Sequence, residues 1–284
     1  MSSQTRRDFL KTAGAVATVT AATRLHAAPS HPPLGLQLYS VRELLPKDFD
    51  GTLAKVAAAG YKEVEAAGYF NRTASDFRHS IDQAGLRCIS THHTMADLAA
   101  RGDELIDYGH KLGLDYLICS WPLRRGPAMD GKLNLDDWRF MSDKLNKVGE
   151  KVKAAGMIFG YHNHVQEFGV ENGICFYDEL LRLTDPKLVK MEMDCGWVVA
   201  AGHNPLDYLP KTPERFPMLH VKDIAKNAAG EFHSTVLGHG IIDYRPILMA
   251  ATGLKHFFVE QEEFDIDTIE ALRQDAAYIR KLGF

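Results

Sequence analysis

Ala155-Gly156-Met157-Ile158-Phe159-Gly160-Tyr161-His162-Asn163-His164 decides the fold. A helix-like segment closes on a glycine, an apolar strand starts at once, and the strand runs into polar side chains. Glycine suits the left-handed position just past a helix end. The same junction recurs at Ala59-Gly60-Tyr61, Ala84-Gly85-Leu86, Leu112-Gly113-Leu114 and Thr252-Gly253-Leu254. Strands are expected at Glu63 to Ala66, Arg87 to Thr91, Tyr116 to Ser120, Ile158 to His162 and His256 to Glu260. Three further runs, Leu34 to Tyr39, Leu188 to Asp194 and Met218 to Val221, complete a set of eight. Between them, apolar residues fall three or four apart, as in Leu135, Trp138, Leu145, Val148 and Val152. Strands alternating with amphipathic helices imply a parallel sheet. Eight such units in a chain of this length predict an α/β fold, a single (β/α)8 TIM barrel over 34–284. No GxGxxG turn follows the first strand, as the doubly wound alternative would need.

In such a barrel, chemistry sits at the C-terminal strand ends. Seven of the eight expected strand ends are polar here. The first carries Gln37, the second Glu65, the third His92 and His93, and the fifth His162, Asn163 and His164. The sixth carries Glu192 and Asp194, the seventh His220, Lys222 and Asp223, and the eighth Glu260 to Glu263. So many polar groups converging on one mouth would be costly without a ligand to satisfy them. Asp194, His220 and Glu260 end three consecutive strands. Carboxylate and imidazole together suit Mn, Co, Zn or Fe(II).

The N-terminus stands apart from the barrel. Thr5-Arg6-Arg7-Asp8-Phe9-Leu10-Lys11, then the weakly apolar Gly14 to Ala22, resembles a Tat-type signal peptide over residues 1–28. That resemblance implies export to the periplasm in a folded state. The run is well short of the ~20 apolar residues that span a bilayer. Net charge is -4, with no basic block, which argues against nucleic acid as a partner. No basic amphipathic helix points to a membrane. An oligomer is compatible with the composition. Cys88, Cys119, Cys175 and Cys195 show no CxxC spacing, and no disulfide framework is expected.

From Leu34 onward the chain resembles the xylose isomerase-like TIM-barrel family of sugar phosphate isomerases and epimerases. The matching pieces are Gly35 to Arg42, Tyr161-His162-Asn163-His164 with Glu167-Phe168, Met193-Asp194-Cys195-Gly196-Trp197, His220-Val221-Lys222-Asp223, Leu237-Gly238-His239-Gly240 with Asp243, and Phe258-Val259-Glu260-Gln261. The resemblance implies one divalent metal held by residues from the fifth to eighth strands. Asp194, His220 and Glu260 match three of the family's ligands. His162 stands where the family usually has a glutamate, with Glu167 or His164 as alternative fourth ligands.

The implied chemistry is isomerisation, epimerisation, or elimination and hydration of a sugar or keto-sugar through an enediolate-type intermediate. Glu260 is the expected base and ligand, with His164 and Glu167 as catalytic partners. Gln37, Glu65, His92, Trp197 and Lys222 are expected to hold substrate, and the Gly238 to Gly240 turn to lie beside it. Replacing the usual glutamate by His162 makes the site more positive and favours elimination or hydration over proton shuttling between two carboxylates. A non-catalytic periplasmic sugar-binding barrel is the alternative. Apurinic-site endonucleases share the barrel, but need several metals and a basic DNA-facing surface.

Overall fold

Leu34–Gln37 (β1) is parallel to Glu63–Ala66 (β2) on one side and to His256–Val259 (β12) on the other, which closes the sheet on itself. The intervening barrel strands are Arg87–Thr94 (β3), Tyr116–Trp121 (β4), Ile158–His162 (β5), Val189–Asp194 (β8) and Met218–Val221 (β9). The closed order is β1-β12-β9-β8-β5-β4-β3-β2, a single TIM barrel. This computed structural model describes residues 31–126 and 132–284. The twin-arginine segment and the cleavage region near Ala27-Ala28 lie outside them. Among the described residues, no helix is long and apolar enough to cross a membrane.

The helices are Phe49–Ala59 (α1), Ala74–Gln83 (α2), Met95–Leu112 (α3), Leu135–Ala154 (α4), Phe176–Leu183 (α5), Cys195–Ala200 (α6), Tyr244–Ala250 (α7) and Thr268–Leu282 (α8). Period-two alternation sorts each strand's side chains. On β8, Met191 and Met193 join the layer between barrel and helices, whereas Glu192 and Asp194 are buried polar groups of the mouth. Ile89, Tyr116, Ile118, Met218 and Phe258 form a separate apolar cluster that plugs the barrel below them. Gly160 makes room for it, since a Cβ there would lie 2.6 Å from Ile118 Cδ1. The polar layer therefore rests on an apolar floor.

Two expectations change. The first strand stops at Gln37 rather than Tyr39, because the Gln37 side chain accepts from the Tyr39 backbone N–H and turns the chain into a 3-10 helix. Gly253 is not a left-handed helix cap like Gly60 and Gly113. Its Cβ would lie 1.9 Å from the Pro213 carbonyl oxygen, so a close chain crossing requires it. Two short ribbons were not expected: Val170–Glu171 (β6) with Ile174–Cys175 (β7), and Asp223–Lys226 (β10) with Phe232–Thr235 (β11).

Asp275 on α8 is buried, accepts from Leu237 N–H at 2.8 Å through Oδ1, and leaves Oδ2 without a partner. Burial pushes its carboxyl up to about 7. The unfolded chain therefore releases this proton first as pH rises, and stability is lost between about pH 4 and pH 7. Asp275→Asn should flatten that decline, leaving the variant relatively more stable at pH 8 than at pH 4. Urea unfolding at the two pH values checks this.

Candidate metal centre

The fifth to eighth barrel strands are β5, β8, β9 and β12, and their ends meet. His162, Asp194, His220 and Glu260 each place one potential ligand atom within 4.8 Å of the others. All four are buried. His220 Nδ1 is 3.0 Å from Glu260 Oε2 and 3.9 Å from Asp194 Oδ2. Neither Glu167 nor His164 joins this group, so of the three alternatives the geometry brings His162 to the fourth position.

Lys222 shares the space. Its Nζ lies 3.0 Å from Asp194 Oδ2, 2.9 Å from Glu260 Oε2 and 2.5 Å from Glu262 Oε1, and 4.6 Å from the centre of the Trp197 ring. Burial opposes its charge, but the carboxylates of Asp194, Glu260 and Glu262 outweigh burial and raise its pKa. The same ammonium and His220 hold Glu260 well below the usual carboxylate range despite burial. The donor set still fits a divalent ion. With the imidazoles neutral, as metal ligation requires, three carboxylates against one ammonium leave two negative charges here, which one dication balances. The contact of Asp194 Oδ2 with Lys222 is close but not a hydrogen bond, which leaves that buried oxygen without one. A mixed N/O set of this kind suits Mn, Co, Zn or Fe(II).

A cavity of about 680 Å³ opens over the group, lined in part by His92, His162, His164, Trp197, Glu260 and Glu262. Burial and the nearby Lys222 charge push His164 down to about 3, so it is neutral, and its Nδ1 has no partner. It suits a hydrogen bond to substrate rather than carriage of a proton's charge.

Four expected roles are corrected. Glu167 is fully buried, accepts from Tyr161 Oη–H at 2.6 Å and from His164 N–H at 2.9 Å, and so props the His164 backbone instead of facing the cavity. Gln37 and Glu65 lie beneath the cavity, where Gln37 Nε2 donates to Glu65 Oε1 at 2.8 Å. Glu65 also accepts from Ser90 Oγ–H at 2.5 Å and stands 2.7 Å from His220 Nε2, which makes it a support for His220. The Gly238 to Gly240 turn wraps Asp223, whose Oδ2 accepts from both glycine N–H groups at 2.9 Å. A Cβ at Gly240 would lie 2.2 Å from Asp223 Oδ1, so the glycine serves that turn and not a ligand.

Asn163, counted with the polar end of the fifth strand, turns away from the mouth. Its side chain accepts from Asp194 N–H at 3.1 Å and donates to Asp194 C=O at 3.2 Å, tying β5 to the backbone that carries Asp194. Asn163→Ala should cost roughly 2–4 kcal/mol by leaving two buried backbone groups unpaired. It should also weaken metal affinity about 10–100-fold. Equilibrium unfolding and metal titration measure the two effects.

A model of the xylose isomerase-like TIM barrel matches residues 53–282. The chain belongs to that family. An inosose dehydratase of Clostridium botulinum (strain Alaska E43 / Type E3) is 28% identical over 230 residues, covering 70% of this chain and 76% of the relative. The crystal structure of a sugar phosphate isomerase/epimerase from Parabacteroides distasonis superposes with a TM-score of 0.74 at 28% identity, covering 88% of this chain and 98% of that one. The IolI protein, crystallised with a bound zinc atom, shares the fold at a TM-score of 0.68 and 13% identity, over 88% of this chain and 97% of that one.

Proposed function

We propose that this barrel is a divalent-metal-dependent lyase, hydratase or isomerase of a keto-sugar or inosose. The observation that carries the reading is the convergence of His162, Asp194, His220 and Glu260 under a cavity of sugar-accommodating size. The dehydratase and isomerase/epimerase relatives support it. A divalent ion held there would polarise a ketone and acidify the neighbouring C–H.

The chain's own residues supply the rest. Glu260 faces the cavity as the base, its carboxylate kept ionised by Lys222 and His220. Lys222, held among Asp194, Glu260 and Glu262, places positive charge where an enolate's negative charge would develop. Trp197 closes the wall over the ammonium, and its indole N–H, buried without a partner, is a donor for a sugar hydroxyl. His164 offers a neutral ring nitrogen. With an imidazole at position 162 in place of a carboxylate, only one acid/base carboxylate and its ammonium neighbour serve the proton. That favours elimination or hydration.

Incubating zinc- or manganese-loaded protein with a panel of inososes and 3-keto-sugars, followed by proton NMR, tests the proposal. Removal of the α-proton with loss of the β-hydroxyl as water, the reverse addition, or isomerisation is expected with at least one of them. Saturable binding by calorimetry without turnover across the panel would favour a binding protein instead. We also propose folded-state export, which rests on Arg6-Arg7 with the Phe9-Leu10-Lys11 and Gly14 to Ala22 segments that follow. Replacing both by Lys should retain the protein in the cytoplasm, and fractionation showing undiminished export would refute it.

A further inference from the structure

Asp194 and Glu260 form the upper edge of the polar layer. Glu192 precedes Asp194 by two residues on β8, so it points the same way one layer closer to the barrel floor. Around it a second set of metal-capable donors converges. His92, His162, Glu192 and His220 each place one atom within 4.8 Å of the others. His92 Nε2 is 2.7 Å from Glu192 Oε2 and 2.8 Å from Glu65 Oε1. His220 Nε2 is 2.7 Å from Glu65 Oε1 and 3.3 Å from Glu192 Oε2. His162 Nδ1 is 3.3 Å from Glu192 Oε2.

Two of these spacings, Glu192 Oε2 to His162 Nδ1 and to His220 Nε2 at 3.3 Å, suit a shared ion, and the 2.7–2.8 Å contacts are hydrogen-bond lengths that open slightly to admit one. Nitrogen and oxygen ligands about 2.0–2.2 Å from one metal lie roughly 3–3.5 Å apart. Hydrogen bonding alone does not satisfy the cluster: His162 Nδ1 and Glu192 Oε1 are buried without a partner. Native interiors rarely leave such atoms unpaired.

We propose that this lower cluster is a cation site in its own right, held by His92, His162, Glu192 and His220 with Glu65 alongside, and taking a nitrogen-preferring dication such as Zn²⁺. His220 faces both positions, with Nδ1 toward Glu260 and Nε2 toward Glu65 and Glu192. A ring that binds an ion at each nitrogen gives up its N–H proton, so filling both positions releases that proton to solvent. The lower ion orients His220 for the upper one, the part a carboxylate plays behind a ligating histidine elsewhere.

The test is metal stoichiometry on the full-length protein. Wild type is stripped with chelator, reloaded with zinc sulfate, desalted and measured by plasma mass spectrometry. The expected content is two zinc ions per chain, falling to one in His92→Gln and to one in Asp194→Asn. Two ions retained in His92→Gln, or a single wild-type ion that His92→Gln leaves in place, overturns the lower site. A single wild-type ion lost in His92→Gln but kept in Asp194→Asn supports the lower site and instead overturns the upper position used above. Circular dichroism checks that the variants fold. Should His92→Gln fail to fold, zinc titration of stripped wild type by calorimetry decides: two saturable zinc equivalents per chain are expected, and saturation at one equivalent overturns the proposal.

Discussion

Asp194→Ala is expected to abolish metal retention at the upper position and to lower kcat/KM on the order of 10³-fold, the scale of removing a group that stabilises developing charge. The reason lies in how Asp194 is placed. Oδ1 accepts from Trp197 N–H at 2.9 Å, capping α6, while Oδ2 faces Lys222 and the ligand group. Asn163 holds its backbone from the other side. Alanine removes the ligand and the cap together, and the lost cap alone should cost about 1 kcal/mol. Asp194→Asn separates the two effects: it keeps an oxygen for the cap but removes the charge. The asparagine variant should therefore melt near the wild-type temperature, yet still lose the upper ion by elemental analysis. An alanine variant with full metal content would remove Asp194 from the ligand set.

Lys222→Met should have the largest effect on stability. The side chain is almost wholly buried, and its removal leaves Asp194, Glu260 and Glu262 without their ammonium. Breaking such a buried pair costs roughly 3–5 kcal/mol. For a chain of this size that corresponds to a melting temperature lower by roughly 6–20 °C. The sign of the pH dependence follows from the shifts. Lys222 has a raised pKa, so its contribution is complete below the lysine range and fades only in strong alkali. Glu260 has a depressed pKa, so its contribution fades as pH falls below the carboxylate range. The gap between wild type and variant should be widest near neutrality and narrow in acid. Added Zn²⁺ or Mn²⁺ should narrow it too, because a dication replaces the missing positive charge. A variant as stable as wild type in chelator would show that these carboxylates are protonated or solvated instead.

The barrel was legible because its evidence is periodic. A helix ending in glycine, a four- to six-residue apolar run and a polar strand end recur often enough to count. Asp194, His220 and Glu260 were legible for the same reason, since alternation on β8, β9 and β12 dictates which side chains reach the mouth. Contacts across the barrel were not. Glu65 reads as a mouth residue by position, yet it bonds Ser90 on a neighbouring strand and His220 on the opposite wall. Glu167 follows the histidine motif so closely that it reads as part of the reacting group, until the turn after His164 folds its carboxylate back onto Tyr161. Asn163 points away from the mouth, as alternation requires, but only the register of β5 beside β8 reveals that it grips Asp194. The lower cluster depends on His92, 100 residues from Glu192, arriving on the far wall. No local spacing records that meeting.

The most direct measurement is solvent deuterium incorporation into a turned-over inosose or 3-keto-sugar, with protein either metal-loaded or stripped by chelator. With loaded protein, deuterium should appear at the carbon next to the carbonyl in recovered substrate or product, and the signal should vanish on stripping and return with Zn²⁺ or Mn²⁺. Conversion of an α-deuterated substrate without a primary isotope effect and without exchange at that carbon, or conversion at an unchanged rate in the stripped protein, would contradict metal-assisted proton abstraction at this mouth.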